Sequence, residues 1–386
     1  MNLTLLIPRT AHPAIEERYG SWQSELLLRR EHPEAQVYHY DPRWTAAQIL
    51  ETVETDWVLA LTDPTALAAP GAGAALLAIL ADESIDGSVP VANEARNEAQ
   101  RRDPPEPYLT LRQFELVAAR IRSEAAAPQT VTWDESDPGL FAAPAEMLDV
   151  DVPLARALRG RRVAVARNVF LHRFTTHRGQ PREDLLERVP LEARSILEFG
   201  CGEGALAAAI KERQPARVIG IEVDADAGAI AAKRLDAVLC GEAQDVIYKL
   251  KKERFDAIVG GDILEHIAEP WSFLADLRQI AAPGARLILS LPNIGNWAVV
   301  DDLLHGRFDY VFLGILCAGH LRFFTRRTIE EMLAISGWEL VTIEAQESAP
   351  TPRFRELAGK LDACGIEMSR EDLAAPGFYV VARNPG

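Results

Sequence analysis

The sequence predicts an α/β protein built as two domains, residues 1–173 and 174–386. Three observations carry that reading. Short apolar runs of strand character alternate with amphipathic helical stretches, and such alternation implies a sheet with helices packed against it. A chain of 386 residues is long enough for two separate cores. From Ser195 the rhythm restarts and becomes regular, at an apolar strand that runs into three glycines spaced two apart and then into the alanine-rich run Ala205 to Ile210.

Composition narrows the class. With 48% hydrophobic and 25% charged residues the chain reads as globular. A formal net charge of -16 opposes attraction to phosphates, so no nucleic-acid partner is expected. Cys201, Cys240, Cys317 and Cys364 show no metal-type pairing and are too sparse for a disulfide scaffold, which points to a reducing cytoplasm. The opening Met1 to Arg9 lacks a basic leader and breaks at Pro8, as a first strand does and a signal peptide does not. The longest uncharged run, Pro64 to Ala81, holds two prolines and two glycines, so a buried turn and helix fits it better than a membrane span. Homo-oligomer formation is left open.

In the first half, Leu3 to Ile7 is a strand, Ala14 to Arg30 has helical periodicity, Gln36 to Tyr40 is strand-like and Ala46 to Val53 is a short helix. Trp57 to Leu61 is an almost wholly apolar strand ending at Thr62-Asp63-Pro64. Leu76 to Leu80 lies in a further helix, Ser88 to Val91 returns as a strand, and the charged, proline-rich stretch Glu94 to Pro107 is an exposed loop. Leu111 to Ile121 is helical, with Leu111, Phe114, Val117, Ala118 and Ile121 on one face. Ser123 to Pro128 reads as a linker, and Arg162 to Phe170 alternates as a strand. The opening strand, Val58 to Pro64 with the Gly/Ala-rich helix after it, Val89-Pro90-Val91-Ala92-Asn93 and Phe170-Leu171-His172 together resemble nucleotide-sugar-binding glycosyltransferases of GT-A type. That resemblance implies a smaller α/β domain whose chemistry needs an Asp-x-Asp pair to hold a divalent metal. Here Asp63-Pro64-Thr65 has Thr in the second place, so the reading is a degenerate domain used for acceptor binding or assembly.

His172 to Arg182, the most basic stretch of an acidic chain, lies between the halves. His172 and His177 have no cysteine or carboxylate nearby to complete a ligand set, so a linker face is expected and no metal site. Arg182 begins a helix through Leu185, Leu186 and Val189; it is a candidate partner for a cofactor carboxylate, or an ordinary solvated arginine.

The restart reads as strand, tight turn and helix: Ser195 to Phe199, then Gly200-Cys201-Gly202-Glu203-Gly204. Glycines let a ligand approach the backbone closely. Their spacing also satisfies the dinucleotide pattern G-x-G-x-x-[GA], with Ala205 in the last place, and so does not choose the ligand. Glu198 does. Its carboxylate, two residues before Gly200, would repel a pyrophosphate and welcome a positive centre, which S-adenosylmethionine has and NAD lacks. Val218 to Ile221 is the second strand and ends in Glu222, close to the spacing at which a carboxylate accepts from both ribose hydroxyls; Val223 follows it. Ala229 to Leu235 is helical, and the third strand, Val238 to Cys240, ends at Gly241-Glu242-Ala243-Gln244-Asp245. Glu242, with Ala243 beside it, is placed to accept from an adenine amino group, with Asp245 in reserve; either acid also suits a helix cap.

Phe255 to Gly260 is the fourth strand and delivers Gly261-Asp262-Ile263-Leu264-Glu265-His266 to the same edge. Together Leu197 to Gly204, Gly220-Ile221-Glu222, Gly241-Glu242, Asp262 to His266 and Ser290-Leu291-Pro292-Asn293 resemble class I S-adenosylmethionine-dependent methyltransferases over residues 180 to 386. The family more often has Asp at Glu242, and both accept the same bond. The resemblance implies a Rossmann-like seven-stranded sheet with the last strand antiparallel, and S-adenosylmethionine as cofactor. Arg286 to Leu291, Glu339 to Ile343 and Phe378 to Ala382 supply the remaining strands, with a helix over Arg326 to Ile335. Between the fifth strand and that helix lies an aromatic-rich segment, Ile294 to Phe324.

Methyl transfer from a sulfonium needs alignment of the acceptor and, for a hydroxyl, removal of its proton. His266 is the candidate base, or else a residue packed under the helix; Glu265 either orients the imidazole or is exposed. Asp262 touches the cofactor or caps the following helix. Asn293, His320 and Arg322 are candidate acceptor contacts, against which stands a packing role for the aromatic loop. No Asn-Pro-Pro-Tyr follows the fourth strand, which with the acidic balance favours a small-molecule or glycan hydroxyl over an amine of DNA or glutamine. Other readings are a bifunctional glycosyltransferase–methyltransferase, a noncatalytic S-adenosylmethionine-binding scaffold and an NAD-dependent enzyme.

Overall fold

A computed structural model describes residues 2–9, 15–174 and 179–386. It divides into two compact units: Met1–Thr175 with Gly306–Gly319, and Thr176–His305 with His320–Gly386. The sequence reading kept all of 174–386 in one domain. Instead, the chain leaves the second unit at His305, runs with the first unit and returns at His320. Of the basic stretch read as a linker, Thr175, Thr176, His177 and Arg178 lie outside the described residues.

The first unit contains β1 (Leu3–Pro8), α1 (Ile15–Glu31), β2 (Gln36–Tyr40), α2 (Ala46–Leu50), β3 (Trp57–Leu61), β4 (Leu67–Ala68), α3 (Ala72–Ile79), β5 (Gly87–Ala92), α4 (Leu111–Arg122), β6 (Gln129–Thr132), β7 (Leu140–Pro144) and β8 (Arg162–His172). Among the described residues these form an eight-stranded sheet in the order β2-β1-β3-β7-β5-β8-β4, with β6 added to β8. Strands β1, β2 and β3 are parallel, β7 is antiparallel to both its neighbours, and β8 is parallel to β5. Every residue of β1 is buried, Thr4 among its apolar neighbours included, as in a strand covered on both faces. The side chain of Thr110 caps α4, which buries Phe114, Val117, Ala118 and Ile121 against the sheet. Sequence patterning missed β4, β6 and β7. Ser123–Pro128, read as a linker, is the loop from α4 to β6 within this unit.

The second unit contains α5 (Glu183–Leu186), β9 (Ser195–Phe199), α6 (Ala205–Arg213), β10 (Arg217–Glu222), α7 (Ala225–Ala231), β11 (Ala237–Cys240), α8 (Ala243–Val246), β12 (Phe255–Gly261), α9 (Pro270–Ile280), β13 (Ala281–Pro292), α10 (Trp297–Leu304), α11 (Arg326–Ile335), β14 (Glu339–Ala345), α12 (Pro352–Ala363), α13 (Arg370–Ala374) and β15 (Gly377–Arg383). Its seven-stranded sheet runs β11-β10-β9-β12-β13-β15-β14. The first five of these are parallel, and β15 is antiparallel to both β13 and β14. This is the Rossmann-like seven-stranded sheet, with its last strand antiparallel, that the resemblance implied. Period-two alternation divides β9 between two apolar layers: Leu197 and Phe199 enter one, Ile196 the other. Strand order reverses beside β9, since β10 and β11 lie on one side and β12 on the other, so the carboxyl end of β9 opens on the crevice where such sheets bind ligands. The segment from Ile294 holds α10, capped by the side chain of Asn296, a helix the aromatic content had hidden.

Candidate active site

Between β9 and α6 the chain turns on Gly200, Gly202 and Gly204, all with positive φ, at 72°, 54° and 76°. At two of them the space is closed as well. A Cβ on Gly200 would lie 2.3 Å from Cδ1 of Ile263, and one on Gly204 2.5 Å from Cδ1 of Leu235. The amides of Gly200 and Cys201 both donate to the carbonyl of Ile221, at 2.8 and 3.0 Å, tying the loop to the end of β10. Cys201 is buried, and burial pushes its thiol pKa up, so it packs as a neutral group.

Two carboxylates flank the loop from within the sheet. Glu198 is 6% exposed and its Oε2 has no hydrogen-bond partner. Burial pushes its pKa up to about 8, and the nearby Glu222 adds to the rise. Glu222 is also buried, but both of its oxygens are used: Oε2 accepts from the Gly202 amide at 2.7 Å and Oε1 from the Asp224 amide at 3.0 Å. Its carboxylate thereby fixes the glycine loop against β10. Val223, the next residue, is exposed; Glu242 is exposed at the start of α8, making no side-chain capping bond, and Ala243 is buried behind it.

Arg182 and Asp262 meet across the carboxyl ends of β12 and β13. The guanidinium donates from Nη1 to Asp262 Oδ2 at 2.7 Å, from Nη2 to Ser290 Oγ at 3.2 Å, and from Nε and Nη2 to the carboxylate of Asp184. Burial opposes its charge, yet Asp184 and Asp262 hold its pKa raised. Asp262 also accepts from Ser290 Oγ at 2.9 Å, and among the described residues it alone combines positive φ, at 55°, with a side chain. Strain of that kind persists where the surroundings over-determine the backbone, as this clamp does. Ser290 and Asp184 were given no role in the sequence reading. The signal for Ser290 was the strand pairing that sets Gly261 opposite it.

Just beyond Asp262, Glu265 is 1% exposed, Oε2 has no partner, and burial drives its pKa well above the carboxyl range, with Asp262 adding to the rise. An exposed Glu265 is therefore excluded. The imidazole it approaches is that of His320, with Nε2 at 3.9 Å from Oε1, beyond hydrogen-bonding distance. His266 and His320 meet edge to face, with centroids 4.9 Å apart. Main-chain bonds hold the group together: the Glu265 carbonyl accepts from the amides of Leu321 and Arg322, at 2.7 and 3.0 Å. The ligand atoms of Glu265, His266 and His320 all lie within 4.8 Å of one another, a set that could hold a metal ion and that the sequence reading had not joined. Arg322 reaches out to Glu269 at 3.2 Å and lies over the ring of Trp271. Asn293 does not reach this group: it is buried, its Nδ2 donates to the carbonyls of Asp372 and Ala375, and its Oδ1 accepts from Gly295. Its amide is a structural tie, which corrects its reading as an acceptor contact.

A family model described as a methyltransferase domain matches residues 170–343. The ubiquinone biosynthesis O-methyltransferase of Cereibacter sphaeroides is 33% identical over 116 residues, covering 28% of this chain and 46% of that protein. The enzyme of the same name from Hahella chejuensis is 31% identical over 114 residues, covering 28% and 47%. The chain thus spans about half the length of the curated relatives it matches. Among solved structures, a SAM-dependent methyltransferase from Archaeoglobus fulgidus aligns with a TM-score of 0.39 and 15% identity, covering 52% of this chain and 94% of that one. Residues 170–343 thus match a methyltransferase domain, in keeping with the resemblance to class I S-adenosylmethionine-dependent methyltransferases that the motifs from Leu197 to Asn293 carry.

Proposed function

We propose that the second unit methylates a hydroxyl of a small-molecule or glycan acceptor, with Glu198, Glu222 and the glycine loop holding S-adenosylmethionine and His266 taking the hydroxyl proton. One observation carries the cofactor's place: Glu198 is sealed beside the loop with an oxygen unpartnered, which favours a cationic ligand and penalises a diphosphate. Each oxygen of Glu222 keeps acceptor capacity for a ribose hydroxyl. Val223, Glu242 and Ala243 stand at the adenine end, Gly200, Cys201, Gly202 and Gly204 underlie the ligand, and Arg182, with Asp262, faces the cofactor's carboxylate end.

Bound S-adenosylmethionine supplies a methyl group already activated by its positive sulfur. The chain must then align the acceptor and remove its proton. A ring nitrogen of His266 receives that proton, and the His320 ring, backed by Glu265, holds the imidazole edge to face. Arg322 and His320 stand on the acceptor side. A hydroxyl acceptor is supported by the O-methyltransferase names of the relatives and by Gly261-Asp262-Ile263-Leu264 standing where an amine-directed motif would be.

A methyl-release screen tests this, with quinols and other phenols first and nucleotide sugars and glycan precursors next. Calorimetry that found NAD bound and S-adenosylmethionine unbound would overturn the cofactor reading, and binding with no acceptor methylated would favour a scaffold. In the screen's best reaction, His266→Ala should keep cofactor affinity and lower turnover by about 100-fold; unchanged turnover removes His266 as base. The three-ligand set supports a second reading, in which a divalent ion at Glu265, His266 and His320 holds the acceptor oxygen. Turnover abolished by EDTA and restored by Mg²⁺ would favour it over proton transfer to His266.

A further inference from the structure

The first unit brings four polar side chains to the carboxyl edge of its sheet: Asp63 after β3, Asn93 after β5, Asp137 before the antiparallel β7, and Arg173 after β8. Local bonds use one oxygen of each carboxylate. Asp63 Oδ1 accepts from the amide and hydroxyl of Thr65, at 2.9 and 2.7 Å, and Asp137 Oδ1 accepts from Thr62 Oγ1 and the Gly139 amide, at 2.6 and 2.8 Å. The remaining two oxygens converge on one group. Arg173 donates from Nε to Asp63 Oδ2 at 3.0 Å and lies with Nη2 3.3 Å from Asp137 Oδ2, while Nη1 donates to the Asp137 carbonyl at 2.9 Å. Asn93 fixes the backbone of Arg173 from both sides, accepting from its amide at 2.7 Å and donating to its carbonyl at 2.9 Å.

Carboxylate and carbonyl oxygens converging from different strands are the ligand chemistry of a hard divalent cation. Gln100, fully buried, donates to the carbonyl of Pro138, the residue after Asp137, and leaves its own Oε1 without a partner. A guanidinium carries a fixed positive charge and needs no ion beside it. We propose that Arg173 is the built-in cation of a divalent-ion site formed by Asp63 and Asp137, so that the native first unit is closed to Mg²⁺ and Mn²⁺ at this edge. Metal-assisted chemistry on a diphosphate therefore has no ion here, and the edge opens only when the guanidinium is withdrawn.

Mn²⁺ titration of the full chain, followed by the electron paramagnetic resonance of the free ion, tests this. Any site at Glu265, His266 and His320 is common to all variants and cancels in the comparison. The wild type should show no Asp63-dependent Mn²⁺ binding. Arg173→Met, which keeps most of the buried stem, should gain one Mn²⁺, and adding Asp63→Asn should weaken that ion at least tenfold. Arg173→Lys should gain none, since its ammonium keeps a charge at the edge. Folded Arg173→Met without a new ion overturns the proposal, as does wild-type binding that Asp63→Asn removes. Should Arg173→Met fail to fold, the comparison of wild type with Asp63→Asn decides: equal binding upholds a closed edge, and unequal binding overturns it.

Discussion

At the scale of single residues, the cofactor role proposed for Glu198 works against stability. Its pKa of about 8 in the folded protein lies far above the value of a free carboxyl, so between those two pH values the folded state holds a proton that the unfolded chain has released. The sign follows: this group's contribution to stability is complete below the free-carboxyl value and is lost as pH rises toward 8, at up to about 1.4 kcal/mol per pH unit. Glu198→Gln removes the titration. Scanning fluorimetry of cofactor-free protein from pH 5 to 9 should show this variant melting above wild type by a margin that grows with pH. Cofactor binding runs the other way, because a cationic ligand favours the ionised carboxylate; calorimetry should find wild-type affinity rising from pH 6 to 7.5, and the variant weaker and flat. An equal pH slope in both proteins would remove Glu198 as the titrating group. Glu198 was legible in the sequence because it ends an apolar strand beside glycines. Asn293 was not, since the carbonyls that occupy its amide come from Asp372 and Ala375, far along the chain.

At the scale of elements, the candidate site is a junction of strand ends, and β9, β10 and β12 were legible because each is an apolar run closed by glycine or an acid. What the patterning could not supply was the joinery. Ser290 meets Asp262 only because β13 lies parallel to β12 with Gly261 opposite Ser290. The turn from β9 to α6 is the place where this joinery is tightest. Gly200→Ala forces a side chain into left-handed backbone and drives its Cβ toward Ile263, the residue between Asp262 and Leu264. Both the loop and the clamp should shift, costing about 1–3 kcal/mol of stability and at least tenfold in S-adenosylmethionine affinity while the far-ultraviolet circular dichroism stays native. Arg182→Ala should spare the loop yet leave Asp262 without its guanidinium, so it should weaken cofactor binding with a smaller loss of melting temperature than Gly200→Ala.

At the scale of the whole molecule, the division into units does not follow the order of the chain, and Gly306–Gly319 shows why sequence could not reveal it. A short segment has no composition of its own to declare which core it serves; only packing decides. Val311 is buried in the first unit's core, Gln23 donates to the Tyr310 carbonyl at 2.6 Å, the Tyr19 and Tyr310 rings lie 5.8 Å apart, and Arg307 pairs with Glu115 at 2.5 Å. These contacts differ in weight. The Arg307–Glu115 pair is about one-third exposed on both sides, so Arg307→Ala should cost less than about 1 kcal/mol. Val311→Asp puts a charge into an apolar core and should cost about 3 kcal/mol or more. Thermal unfolding of the two variants checks the ranking, and near-equal losses would mean that the segment is held by its charges and not by its burial. The same contacts bear on dissection. Residues 180–386 made alone would carry Val311, Ile315 and Leu316, all buried in the full chain, without the first-unit core around Val311. That fragment should bind 8-anilinonaphthalene-1-sulfonate more strongly and melt lower than the full chain. Replacing 307–318 by a short Gly/Ser linker should reverse the dye binding, because it deletes the apolar residues that the first unit covers; dye binding that persists would place the exposed surface elsewhere.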